Sequence, residues 1–164
     1  YSIVDKRHRI EAIFLALVGF PDLLNTLLRD LIARPRPNRD LVEVIGGPQG
    51  FSFPSGTTLH MLLFYGFLLY LAHRLIPSRP LVRTLWALGG LYILTSGLWV
   101  IYVGRHWFID AVGGYLYGSF FLLLLVRSFE WVQRWIETEE ALRFSSRAPR
   151  ILGKPLVYVL RLIA

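Results

Sequence analysis

The sequence has no cysteine and little charge: only 18% of its 164 residues are Asp, Glu, Lys or Arg. Without cysteine there are no disulfides and no thiolate metal sites, and the redox compartment leaves no mark on the chain. Acidic residues are scarcer than basic ones, 11 against 18, which leaves a formal net charge of +7. Nucleic-acid binders share such an excess, but they spread Lys and Arg over a polar face, whereas here the basic residues punctuate long apolar runs. A nucleic-acid partner is therefore not expected, and arginines beside lipid headgroups explain the charge better. No signal peptide, internal repeat or low-complexity segment is visible. The chain opens at Tyr1 rather than a methionine, which leaves room for upstream residues, with or without a further span.

What is present is apolar: 54% hydrophobic and 15% aromatic residues with a mean hydropathy of +0.49. This is a membrane composition, and it predicts an all-α, multi-pass integral membrane helix bundle in a single domain over 1–164. Four main spans are predicted, at about 10–28, 55–76, 85–103 and 109–126, each near the ~20 residues that a bilayer core requires. Glu11, Asp22 and Arg29 interrupt or close the first span and fall within about 20° of one line on a continuous helix, with Asn25 about 60° away. Charges facing lipid would cost roughly 2.5 to 3.5 kcal/mol each, so this stripe faces protein or a wet cavity. Gly113, Gly114 and Gly118 suit close helix packing. Beyond Val126 an amphipathic extension, about 127–164, places Trp131 and Trp135 at headgroup level. A break is expected at Ser145–Arg150, and the 14-residue tail from Ile151, about 21 Å if helical, is too short to span cleanly and is expected at the interface.

Between the first two spans lies one long loop, residues 30–54, dense in Pro, Gly and Arg. Four spans put this loop and the junction before span four on one side, with Arg29, Arg34, Arg36, Arg39 and Arg105. The other thirteen Lys and Arg fall on the side of both termini. The positive-inside bias makes the termini cytoplasmic and the loop side extracytoplasmic.

Three polar clusters meet on that outer side. Arg29 and Arg36, in RDLIARPRP, carry guanidinium groups suited to two phosphate oxygens at once. Ser55 and Gly56, in FPSGT, open a helix whose N-terminal amides form an anion site. In GRHWFID, His106 and Asp110 sit one helical turn apart, the spacing at which a carboxylate orients an imidazole for nucleophilic or base chemistry. Each cluster alone has a plain structural explanation, as headgroup anchor, helix start or hydrogen-bonded pair. Together they form a kit for phosphoryl transfer through a phosphohistidine.

In order and spacing these residues resemble the type 2 phosphatidic acid phosphatase (PAP2) superfamily, whose signature is Lys-x6-Arg-Pro, Pro-Ser-Gly-His and Ser-Arg-x5-His-x3-Asp. The resemblance covers roughly residues 20–120. It implies a bundle of membrane helices that dephosphorylates phospholipids such as phosphatidate or phosphatidylglycerol phosphate, or a polyprenyl phosphate, with no metal and no cofactor. It casts His106 as nucleophile, Asp110 as its orienting carboxylate, and Arg29, Arg36, Ser55 and Gly56 as the phosphate cradle.

Two family positions are replaced. Thr57 stands where the family has the histidine that protonates the leaving group, and Trp99 and Val100 stand where it has Ser-Arg. Losing general acid catalysis typically costs about 10² to 10⁴ in rate, and losing a charge-stabilising donor about 10² to 10³. His60, three residues beyond Thr57 and on nearly the same helical face, and Arg105, beside His106, are the candidate substitutes. The expectation is a phosphatase scaffold with weak or no activity; the alternative is a non-catalytic relative that binds lipid phosphate or serves as a structural subunit among other membrane proteins.

Overall fold

The computed structural model describes residues 3–38, 40, 42–46 and 49–147, and among these the chain is helical with no strand. Its helices are α1 (Ile3–Leu17), α2 (Phe20–Ile32), α3 (Gly56–Leu75), α4 (Arg79–Tyr102) and α5 (Phe108–Arg147). The chain divides into two compact units, Tyr1–Val126 and Arg127–Ala164, and every candidate site residue lies in the first.

The first predicted span is two helices rather than one. The break falls at Val18 and Gly19, whose amides reach back only three residues, to Leu15 and Ala16. Pro21, in the first turn of α2, has no N–H to give and its ring crowds the carbonyl four residues earlier, so an unbroken ladder through this point is not available. Glu11 is therefore not in helical phase with Asp22 and Arg29, which corrects the predicted stripe. The stripe survives on α2 alone, as Asp22, Asn25 and Arg29 at i, i+3 and i+7.

Among the described residues, three stretches are long and apolar enough to cross a bilayer: Arg9–Ile32, Arg79–Tyr102 and Phe108–Glu139. The predicted second span, now α3, is not among them. Its 20 residues would reach about 30 Å, but Thr57, Thr58, His60 and His73 dilute its apolarity. The physical reason is position, for α3 is the packed centre of the first unit. Leu59, Leu63 and Phe67 on it are almost wholly buried, whereas Leu88, Leu91, Leu94 and Leu98 on α4 and Leu116 and Phe120 on α5 are largely exposed. The outer helices carry the apolar surface that suits lipid, and the inner one can tolerate polar groups because protein covers them.

Contacts made by small residues and one tyrosine seat the helices. A side chain at Gly114 would strike the Thr58 hydroxyl and the Ser55 carbonyl, so glycine there lets the start of α5 lie directly on the start of α3. The Tyr115 hydroxyl enters the ladder of α4, accepting from the Gly97 amide at 2.9 Å and donating to the Ile93 carbonyl at 2.7 Å. Beyond Val126, α5 continues unbroken through Arg147 rather than breaking at Ser145, with Trp131 and Trp135 exposed. The predicted interfacial tail from Ile151 lies outside the described residues.

The long loop is stitched to the end of α4. The Ile45 amide donates to the Val103 carbonyl at 3.1 Å, and Gly104 follows with φ +67°, where an added β-carbon would strike the Glu43 carbonyl. An L side chain there faces both an unfavourable backbone region and a backbone clash. Gly104→Ala is expected to cost about 1 to 3 kcal/mol, read as a lowered thermal unfolding midpoint in detergent. Gly90→Ala, on α4 with nothing within 4 Å of the added carbon, is expected to be neutral or stabilising by up to about 1 kcal/mol.

Candidate active site

Helix α2 ends at Ala33, which turns left-handed (φ 51°, ψ 34°) and returns its amide to the Arg29 carbonyl. The alternating Arg34-Pro35-Arg36-Pro37 cannot continue the helix, since each proline lacks an amide and pushes its predecessor towards extended backbone. The far end of the loop runs alongside. The Ser52 amide donates to the Arg34 carbonyl at 2.8 Å, and the Ser52 hydroxyl to the Pro35 carbonyl at 3.1 Å. Ser55 then caps α3, its hydroxyl accepting from the Thr58 amide at 3.4 Å. On the third segment, the amides of Arg105 and His106 both donate to the Val100 carbonyl, which turns the chain so that α5 can begin.

Asp110 joins these segments and is fully buried. Its Oδ1 accepts from Arg34 Nη1 at 2.9 Å, and its Oδ2 accepts from the Trp107 amide at 2.8 Å, capping α5. Its main-chain carbonyl accepts from the Ser55 amide at 3.0 Å. His106 Nδ1 stands 3.6 Å from Asp110 Oδ2, beyond hydrogen-bond length, and among the described residues this buried nitrogen makes no close hydrogen bond. His106 Nε2 lies 3.3 Å from Arg36 Nη1. A guanidinium only donates, so this neighbour assigns the lone pair to Nε2 and the ring proton to Nδ1, on the Asp110 side.

Two guanidinium groups stand at this nitrogen's side of the site. Arg36 donates to the carbonyls of Gly50 at 3.1 Å and Arg105 at 2.6 Å, and Arg29 Nε donates to the Phe51 carbonyl at 3.1 Å. Partial burial and the charge of Arg29 lower the Arg36 pKa, Asp110 opposing. His106 is pushed down from the ordinary 6.5 to about 4, first by burial and then by the Arg36 charge, against Asp110 and the Ser52 backbone. The imidazole is thus neutral at pH 7.

Gly56 lies beside Asn25 and Arg29: a carbon added to it would come 3.0 Å from Asn25 Nδ2 and 3.8 Å from Arg29 Nη1. The structure corrects one detail of the predicted anion site. The Ser55 amide is committed to Asp110, so the free amides at the start of α3, among the described residues, are those of Gly56 and Thr57. The Thr57 side chain is exposed. Val100 is buried, and its contribution is its carbonyl. Arg105 directs its guanidinium to the Ile45 carbonyl and lies against Gly46, so what it brings to the site is its own main-chain carbonyl under Arg36. His60 is held by Asp22, Nδ1 to Oδ2 at 2.6 Å. Sequence reasoning gave no role to Arg34, Ser52 or Asn25. The only signal for Arg34 was the doubled Arg-Pro, and Asn25 was visible as a stripe member whose Oδ1 proves buried and unpartnered. Among the described residues no group of three or more His, Asp or Glu is gathered as a metal would need.

Removing the nearest positive charge raises a histidine's pKa, so Arg36→Gln is expected to move the His106 midpoint from about 4 towards 6.5. Histidine-labelled NMR in detergent reads both values, and a native midpoint at or above 6.5 would contradict the electrostatics described.

Comparison with known proteins agrees with the geometry. The family profile described as the PAP2 superfamily matches residues 11–134. Phosphatidylglycerophosphatase B of Bacillus subtilis is 28% identical over 119 residues, covering 72% of this chain and 57% of that protein, so the chain spans less than two thirds of this relative's length. The fold is similar to the crystal structure of a transmembrane PAP2-type phosphatidylglycerolphosphate phosphatase from Bacillus subtilis, with a TM-score of 0.65, 23% identity, and coverage of 78% of this chain and 69% of the other. With its helical membrane fold and its match over residues 11–134, this chain belongs to the PAP2 superfamily.

Proposed function

We propose that the chain hydrolyses the phosphate ester of a membrane phospholipid, with His106 as nucleophile. The relative named as a phosphatidylglycerophosphatase makes phosphatidylglycerol phosphate the first substrate to try, with phosphatidate and a polyprenyl diphosphate beside it. The single observation that carries the proposal is the pair of neighbours of His106: Arg36 Nη1 at 3.3 Å from Nε2 and Asp110 Oδ2 at 3.6 Å from Nδ1. A neutral imidazole whose lone pair faces a guanidinium, with a carboxylate behind it, is set to attack phosphorus held by that guanidinium.

In this reading Arg29, Arg36 and the Gly56 and Thr57 amides hold the non-bridging oxygens. His106 Nε2 attacks, the N–P bond forms, the bond from phosphorus to the lipid oxygen breaks, and Asp110 stabilises the positive charge that develops on the ring. Water then cleaves the N–P bond and releases phosphate. Arg34 and the Trp107 amide hold Asp110 in place. With α3, about 30 Å long, counted as a fourth crossing, the positive-inside bias supports an extracytoplasmic site with cytoplasmic termini.

Val100, buried, and Thr57, with no acidic proton, favour a second reading in which the chain binds lipid phosphate without turnover, as a subunit of a membrane assembly. One experiment separates the two. Purified protein is expected to release phosphate from at least one of the three lipids, His106→Ala to fall to background, and Arg36→Ala to lose about 10²- to 10³-fold. Absence of turnover with binding that Arg36→Ala abolishes would instead establish the second reading.

A further inference from the structure

A lipid alkoxide is a poor leaving group and needs a proton as its bond to phosphorus breaks. None of the groups that hold phosphate can supply it. Guanidinium groups stay protonated, Thr57 is an alcohol, and both oxygens of Asp110 are taken by Arg34 and the Trp107 amide. We propose that His60, backed by Asp22, is the proton donor, seated one helical turn inside the bundle from the phosphate cradle. The inference rests on the phosphatase reading above.

The facing surfaces of α2 and α3 form two rungs. On the outer rung Gly56 meets Asn25 and Arg29; on the inner rung His60 meets Asp22, with Nδ1 and Oδ2 2.6 Å apart. Four residues along a helix advance about 6 Å. Side chains on a helix lean back towards its N-terminus, so the His60 imidazole inclines towards the turn of Gly56 rather than away from it. The Phe64 ring stacks one turn deeper at 5.9 Å and 9°, closing the inner side. Asp22 fixes Nδ1 as the nitrogen that donates to it, which leaves Nε2 for the substrate. The His60 side chain keeps 42% of its surface open. A carboxylate behind one nitrogen and access at the other is the arrangement of an oriented acid, and it recurs here in a second histidine besides His106.

The proton ledger closes over the two steps. When His106 Nε2 bonds to phosphorus, the electron pair of the breaking P–O bond goes to the lipid oxygen, which takes the proton from His60 Nε2 and leaves as an alcohol. When water attacks the phosphohistidine, the N–P bond breaks, the His106 lone pair returns, and the proton lost by water goes to His60 Nε2. Both residues end as they began.

The test compares leaving groups. p-Nitrophenyl phosphate releases a phenolate that needs no acid, whereas phosphatidylglycerol phosphate and phosphatidate release alkoxides. His60→Gln is expected to slow the first-turnover release of the lipid alcohol about 10²- to 10⁴-fold, while the first-turnover burst of p-nitrophenolate, which comes before water attacks, changes by less than about 10-fold. Asp22→Asn, which weakens the orientation of the imidazole, is expected to show the same selectivity with a smaller loss. The aryl phosphate reports whether each variant is folded. Equal losses on both substrates, or no loss on the lipid, would overturn the assignment and leave His106 in place. If the wild type turns over neither substrate and matches His106→Ala, the phosphatase reading itself fails.

Discussion

The site hangs on a buried carboxylate. Asp110 has no exposed surface, and an ionised group taken out of water costs several kcal/mol unless it is paired and hydrogen-bonded. Its partners come from segments far apart in the chain: the Arg34 guanidinium after α2, the Trp107 amide at the start of α5 and, through the main chain, the Ser55 amide at the start of α3. Satisfying this one residue brings the three helix ends to a common point, with His106 one turn before it on the same chain. Gly114, one turn after it, allows the approach, because α5 lies against Ser55 and Thr58 where any side chain would intrude.

That arrangement decides the charge state of the nucleophile candidate. Arg36 is held by the Gly50 and Arg105 carbonyls with a nitrogen at the imidazole, so burial first, and then the same contact that would orient a phosphate oxygen, keep His106 unprotonated. Its folded pKa of about 4 lies below the ordinary 6.5. The stability this contributes is therefore complete above pH 6.5 and is lost as pH falls through 4. Phosphate entering beside Arg29 and Arg36 brings negative charge to a cluster rich in positive charge, which opposes the depression and favours the imidazolium-like ring that forms as the N–P bond closes.

Much of this was legible in the sequence because its signals were chemical and local. Hydropathy marked the lipid-facing helices, and the spacing of His106 and Asp110 put them on one face. Arg29 and Arg36 stood out as a guanidinium pair, and the Arg-Pro punctuation marked the end of a helix between them. What escaped notice depended on contacts across the fold. Arg34 looked like any loop arginine until Asp110 was found against it. The Ser55 amide looked free until the Asp110 carbonyl took it. The first span was read as one helix despite the polar residues that interrupt it, and only Pro21 hinted that the backbone ladder could not run unbroken. α3 was read as one span among equals, whereas its threonines, histidines and tyrosines mark the helix that the others surround. His60 was a candidate by helical phase alone, and the carboxylate that holds it was visible only as a charge on another helix.

The central claim is that His106 takes the phosphoryl group from a lipid, and rapid-quench trapping tests it most directly. Protein mixed with a lipid whose phosphate carries a radioactive label, and quenched within a single turnover, should carry the label on the peptide that contains His106. The linkage should be labile in acid and stable in alkali, and His106→Ala should carry none. Lipid turnover with no such adduct, or a label retained in His106→Ala, would contradict it.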